Sequence, residues 1–328
     1  VFAATLWAAS SSIGVSVCPL NGEEPDVLLR NADQAMLIAK QSGRSRCSLF
    51  DTELEGRARA LYQTTANVER GLAEGEFVLF YQPRVNMRLG TVVGVEALIR
   101  WAHPEEGLIL PVSFLPYVEG SEVAVRLGRW VLAEALSQMQ RWSAIGLHLP
   151  ISVNISGHHL KAPGFGEHLA KLLEAHPGIP AERLEIEILE TAAMEDVEKV
   201  ARIIRDSASL GVSFALDDFG TGHSSLTYVR RLPARTLKID KSFVRNILED
   251  PEDLAIAKGV VALARSFGRE VVAEGMETIE HGVALLSIGC EHAQGYGIAH
   301  PMPAEAVPAW IAQWKCPACW GDAPRPAT

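Results

Sequence analysis

From Phe77 onward the chain is punctuated by eight short apolar segments, at residues 77–81, 94–100, 151–155, 184–189, 213–217, 236–239, 270–273 and 293–298. Between them run amphipathic stretches with helical spacing, among them 125–142, 166–175, 196–210, 251–267 and 278–288. Eight strands in strict alternation with helices predict an α/β fold of the (β/α)8 TIM type, with room for an atypical first strand. A doubly wound open sheet is the rival, but no glycine-rich turn follows the first segment.

What precedes residue 77 is too small for a second such domain. Residues 12–18 read as a strand and 24–41 as a helix with Leu28, Ala32, Ala35, Met36 and Ala39 on one stripe. A helical stretch over 53–74 then presents Leu54, Ala58, Leu61 and Val68 on one side. The organisation expected is a small α/β fragment (1–50), a helical connector (51–75), a barrel (76–312) and a C-terminal tail (313–328).

Composition narrows the function. Of 328 residues 48% are hydrophobic, which excludes disorder, and 30 Lys+Arg against 40 Asp+Glu give a net charge of −10. A chain this acidic is not built to wrap polymeric nucleic acid. A small anionic ligand remains admissible if divalent cations bridge the like charges. Five scattered cysteines suit reduced thiols in a cytoplasmic protein rather than a disulfide framework. No run has the length and apolarity of a membrane span, and a membrane anchor of a longer parent would lie outside this sequence.

The polar residues inside the apolar segments carry the chemistry. Glu96 lies in the second segment, Asn154 in the third, Glu187 in the fourth, Asp217 and Asp218 close the fifth, Lys238 sits in the sixth, Glu274 follows the seventh and Gln294 falls in the eighth. Burying carboxylates singly costs several kcal/mol each, and a barrel keeps its reactive groups at the C-terminal ends of its strands. Five acids at one mouth would repel one another unless cations sat among them. An all-oxygen donor set without His or Cys selects Mg2+ or Mn2+ over Zn2+. The adjacent pair Asp217-Asp218 suits two metals, as used in phosphoryl displacement. The glycines of Phe219-Gly220-Thr221-Gly222-His223-Ser224-Ser225 give a loop able to act as a lid over them.

The segments YQPRVNM (81–87), GVEALIRW (94–101), SVNIS (152–156), EILE (187–190), DDFGTGHSSLTYV (217–229), LKIDKSFV (237–244), VVAEGMET (271–278) and QGYGIAHPMP (294–303) occur in order. Together they resemble an EAL-domain cyclic di-GMP phosphodiesterase over residues 61–312. The segment 12–46 resembles the C-terminal end of a GGDEF (diguanylate cyclase) domain, without the cyclase's signature loop.

The resemblance implies hydrolysis of cyclic di-GMP to linear pGpG. It implies one cation on Glu96, Asn154, Glu187 and Asp217, and a second on Asp217 and Asp218 with Glu274 nearby. Lys238 would orient or deprotonate the attacking water; its acidic surroundings favour orientation, with hydroxide generated by the metals. Glu277 and Gln294 would support the metal and water network, Glu190 would tie down the lid, and Gln82, Arg100 and Asp240 would contact the dinucleotide. Further implications are Ca2+ binding with inhibition, a homodimer through the lid region, and an upstream GGDEF or sensor domain.

Three positions depart from the family pattern: Leu189, expected to pack where Thr is common, His223 for Tyr in the lid, and Asn86 for Asp. Cys316-Pro317-Ala318-Cys319 has no second ligand pair and reads as an inert tail. His158-His159 reads as a surface loop. The alternative function is a receptor that binds cyclic di-GMP without cutting it; loss of an acidic ligand would mark it, and every one is present.

Overall fold

The computed structural model describes residues 11–21, 23–41, 45–221, 226–321 and 323. His223 with the rest of 222–225, and the chain before residue 11, lie outside the described residues, as do the side chains of Leu54 and Ala58. The chain divides into two compact units, residues 1–67 and 68–328.

In the first unit the strand Ile13–Val15 pairs in parallel with Cys47–Leu49, and the helix Pro25–Gln41 makes the crossover. The expected stripe faces inward, with Ala35 and Ala39 fully buried. The second strand was not foreseen, because three residues are too few to show a period.

The second unit is a closed eight-stranded barrel. Its strands are β1 (Phe77–Asn86), β2 (Thr91–His103), β3 (Ile151–Asn154), β4 (Leu184–Leu189), β5 (Ser213–Phe219), β6 (Thr236–Ile239), β7 (Glu270–Ala273) and β8 (His292–Gln294). From β2 to β8 each strand pairs in parallel with the next. β1 closes the ring by pairing antiparallel with both β8 and β2. Strict alternation with helices therefore fails at its first step. Residues 87–90 make only a turn, and a parallel crossover needs a dozen residues or more. The eighth strand is also shorter than the segment 293–298, because the chain turns at Gly295 to bond around Met276.

The outer helices follow from capping and apolar spacing. Glu122–Ala144 starts on Ser121, whose side chain accepts from the Ala124 amide, and buries Val123, Leu127, Val131, Leu132, Ala135, Leu136, Met139 and Trp142. Val197–Ala208 is capped by Asp196, Pro251–Ser266 by Asp250 and Ile279–Ile288 by a Thr278–His281 capping box. Among the described residues no helix is long and apolar enough to cross a membrane. Of the described residues beyond Gln313, Trp320 is fully buried and donates to Ile279 O at 3.0 Å, and Trp314 donates to Gly90 O at 3.2 Å.

The barrel interior is polar where such barrels ordinarily hold branched apolar side chains. Strand alternation puts Gln82, Arg84 and Asn86 on one face of β1, Glu185 and Glu187 on one face of β4, Thr236 and Lys238 on one face of β6, and His292 and Gln294 on one face of β8. Hydrogen bonds across the lumen join these sets.

The paired histidines are not a surface loop. They lie on the short helix Gly157–Lys161, where His158 is exposed and His159 is 1% exposed, edge-on to Phe165. Gly128 makes room for it, since a Cβ there would stand 2.2 Å from His159 Nδ1. Neither ring nitrogen has a hydrogen-bond partner among the described residues, and burial pushes the imidazole down from 6.5 to about 4. Below pH 6.5 the unfolded chain takes up a proton that the folded one refuses, so stability is lost as pH falls from 6.5 toward 4, by on the order of 3 kcal/mol. Urea unfolding of wild type and His159→Gln at pH 7.5 and pH 5 should show the wild type losing more over that interval.

Candidate active site at the barrel mouth

The Lys238 side chain is 0% exposed and stands at the centre of the lumen. Four carboxylates reach its ammonium from different strands: Glu187, Glu274 at 2.5 Å, Asp217 at 3.2 Å and Glu96 at 3.5 Å. Glu96 is held further by Asn154 Nδ2 and Gln294 Nε2, each donating at 2.6 Å. Gln294 also donates to Gln82 at 2.9 Å, and Gln82 donates to Ala299 O at 2.9 Å. Eight of the residues singled out in the sequence, Gln82 and Gln294 among them, thus form one bonded set.

Adjacent strand residues normally point to opposite faces, so Asp217 and Asp218 cannot both serve the mouth without a backbone device. The pairing of β5 with β6 shifts register between Leu216 and Phe219, and Asp218 adopts φ +52. This bulge in a left-handed conformation turns both carboxylates to one side, a strained arrangement for a non-glycine residue. Carboxylate oxygens of Asp217, Asp218 and Glu274 consequently lie within 4.8 Å of one another. Gly275 has φ +69, and a Cβ there would meet Lys241 Cβ at 2.5 Å, so the chain can turn immediately after Glu274 only with glycine.

The electrostatics show too many anions for one cation. Burial opposes the charge on Lys238, yet the four carboxylates outweigh it and raise the ammonium well above its ordinary value. Burial also acts on Glu96, but Lys238 and the two amide donors keep it below the usual carboxylate range. Glu187 goes the other way, pushed well up by burial and by Glu96. Burial and the neighbouring acids raise Glu274 to about 8 and Asp218 to about 7. Glu187 Oε1 is buried without a hydrogen-bond partner among the described residues. An orphaned carboxylate oxygen on Glu187, close to acids whose burial and mutual repulsion disfavour their charged forms, together with an all-oxygen donor set, fits hard divalent cations.

The remaining residues stand around this centre. Glu190 is fully buried and accepts from the Gly220 amide at 2.9 Å, where the loop after β5 begins. Asp240 accepts from the Ser242 amide at 2.9 Å and from the Ser242 hydroxyl, capping the helix Lys241–Arg245, and hydrogen-bonds Asp218. Arg100 donates to Ile99 O and lies over the Phe80 ring. Glu277 is engaged by Arg245 at 2.9 Å and is not hydrogen-bonded to the cluster among the contacts described. Leu189 does not pack as expected: it is 38% exposed, because the strand ends there. Asn86 bonds His292 at 3.1 Å and accepts from the Leu89 amide, far below the mouth.

A cleft of about 270 Å³ opens on the centre, lined by Gln82, Glu96, Asp217, Glu274, Gln294 and Tyr296 among others. A second, of about 340 Å³, is a mainly apolar cavity lined by Ala97 and Ile99 of β2 and by Ala124, Leu127 and Val131 of the helix Glu122–Ala144, and it touches the site residues only at Asn154. Sequence reasoning missed Ser242, Tyr296 and the buried pair Arg84–Glu185. The period-two placement of Glu185 before Glu187 was the available signal for the last.

A family model, that of the EAL domain, matches residues 65–301. The chain is 38% identical over 304 residues to the bifunctional diguanylate cyclase/cyclic di-GMP phosphodiesterase MucR of Pseudomonas aeruginosa, covering 92% of this chain and 44% of that protein. It is 34% identical over 305 residues to the cyclic di-GMP phosphodiesterase PdeR of Escherichia coli, covering 93% of this chain and 46% of that protein. It therefore spans less than half the length of these two relatives. A solved structure described as the PaMucR phosphodiesterase, c-di-GMP complex, superposes with a TM-score of 0.71 at 39% identity, over 75% of this chain and 99% of that one.

The raised carboxyl groups make the metal-free site pH-dependent. Glu274 and Asp218 bind protons more tightly folded than unfolded, so their contribution is full below the unfolded carboxyl range and is lost as pH rises through about 7 to 8. Metal-free protein should lose stability between pH 6 and pH 9. Added Mn2+ should abolish that loss and release protons on binding, which calorimetry in buffers of different ionisation enthalpy measures.

Proposed function

The chain belongs to the EAL domain family, and on that premise we propose that it is a metal-dependent phosphodiesterase that hydrolyses cyclic di-GMP to linear pGpG. The observation that carries this reading is the complete set of acids around Lys238, since a binding-only relative would tolerate the loss of a ligand. Glu96, Asn154, Glu187 and Asp217 would hold one divalent cation, and Asp217 and Asp218, with Glu274 nearby, a second. Mg2+ or Mn2+ at these positions supplies Lewis-acid polarisation of phosphoryl oxygens and acidifies water, whereas Ca2+ is expected to bind and inhibit.

The chain's own groups divide the remaining work. Lys238, held charged by its carboxylates, acts as a donor that orients water and offsets the negative charge growing on phosphorus, rather than as a base. Gln294 and Asn154 fix Glu96 by its two oxygens, and Gln82 fixes Gln294. Glu190 anchors the start of the lid loop through Gly220. The cleft of about 270 Å³ over Glu96, Asp217 and Glu274 is the space for the dinucleotide, with Arg100, Asp240 and Glu277 as its contacts.

A match covering 92% of the chain extends ahead of residue 65, which supports reading the first unit as the end of a GGDEF domain. A homodimer through the lid region of a cytoplasmic enzyme completes the proposal.

Purified protein supplied with Mg2+ or Mn2+ should linearise cyclic di-GMP in strong preference to cyclic di-AMP and bis(p-nitrophenyl) phosphate. Glu96→Ala should lower kcat by roughly a thousandfold, and sustained turnover after chelation would refute the metal reading. Glu190→Ala should reduce activity and steepen its metal dependence while circular dichroism stays unchanged; wild-type kinetics in that variant would remove the anchoring role.

A further inference from the structure

One layer below Lys238 lies a second buried ion pair. Arg84 on β1 donates to Glu185 Oε1 at 2.7 Å, and Thr236 on β6 donates to Glu185 Oε2 at 2.7 Å. The side chains of Arg84 and Glu185 are 12% and 9% exposed. Both oxygens of Glu185 are thereby engaged on the barrel floor. Glu185 precedes Glu187 by two residues on one strand, and Thr236 precedes Lys238 by two on another, so the floor and the rim are successive layers of one lumen, about 7 Å apart.

Lys238 is a flexible stem carrying a point charge, and Glu185 is the carboxylate below the rim group to which it is paired. Stripped of its guanidinium, Glu185 would be a buried anion competing with the rim for the same ammonium. We propose that Arg84 is a positioning residue of the active site: by neutralising Glu185 on the floor, it reserves the Lys238 ammonium for the rim carboxylates and so sets both turnover and cation affinity. The inference rests on the rim being a divalent-cation phosphodiesterase site.

The signs of the two effects are opposite, which separates them from simple damage. In Arg84→Met the ammonium is drawn toward Glu185, so kcat should fall at least about tenfold with KM little changed. The rim, now more negative, should bind Mn2+ roughly tenfold more tightly in calorimetry, as expected for a unit charge displaced by one layer at an effective dielectric near 20. Arg84→Met/Glu185→Gln, which removes both charges, should restore kcat and Mn2+ affinity to near wild type, as should the charge-preserving Arg84→Lys. Weaker Mn2+ binding in step with lost turnover in Arg84→Met would overturn the proposal.

If Arg84→Met fails to fold, the double variant and Arg84→Lys decide, and a kcat tenfold or more below wild type in either overturns it. A wild type that binds Mn2+ but leaves cyclic di-GMP intact defeats the substrate reading alone, and Arg84 then stands or falls on the Mn2+ affinities.

Discussion

One ammonium surrounded by four carboxylates organises this barrel. Each of these charges would cost several kcal/mol if buried alone, and only mutual contact makes their burial tolerable. The balance is deliberately incomplete on the cationic side. Lys238 together with the Gln294 and Asn154 amides keeps Glu96 below the usual carboxylate range, while Glu187, Glu274 and Asp218 are pushed toward their protonated forms by burial and by neighbouring acids. The fold thus assembles a site whose own residues leave negative charge uncompensated, which is the physical basis of an affinity for divalent cations.

Holding that cluster together falls to backbone features that depart from regular strands. The bulge in β5 brings two neighbouring aspartates to one side, and Gly275 lets the chain leave β7 directly behind Glu274. The antiparallel β1 has a related effect. Because it runs from rim to floor as the others rise, Gln82 meets Glu96 in register and Arg84 follows beneath it. The same strand therefore serves the amide network above and the ion pair below.

Much of this was legible in the residues, and the failures are instructive. Polar groups interrupting apolar segments pointed to the acids and to Lys238, because period-two alternation and the cost of buried charge are local statements. The antiparallel course of β1 was not readable from its own composition, since an inward-facing strand looks alike in either direction; only the short turn over 87–90 hinted at it. His159 was misplaced because its environment is made by Gly128 and Phe165 from other helices. Leu189 was expected to pack, but its exposure depends on where the strand ends against its neighbours. Glu185 hides in the same apolar run as Glu187, and its partners come from strands far away in sequence.

The sequence by itself determined the class of fold, the order of the strands and the identity of the groups bound for the mouth. These follow from periodicity and from what each residue type costs to bury. Which carboxylate keeps its charge, which side Asp218 faces and which layer Arg84 occupies were decided only when eight strands closed on one another. Charges interact through space rather than along the chain, and their separations are set by the register and stagger of the barrel.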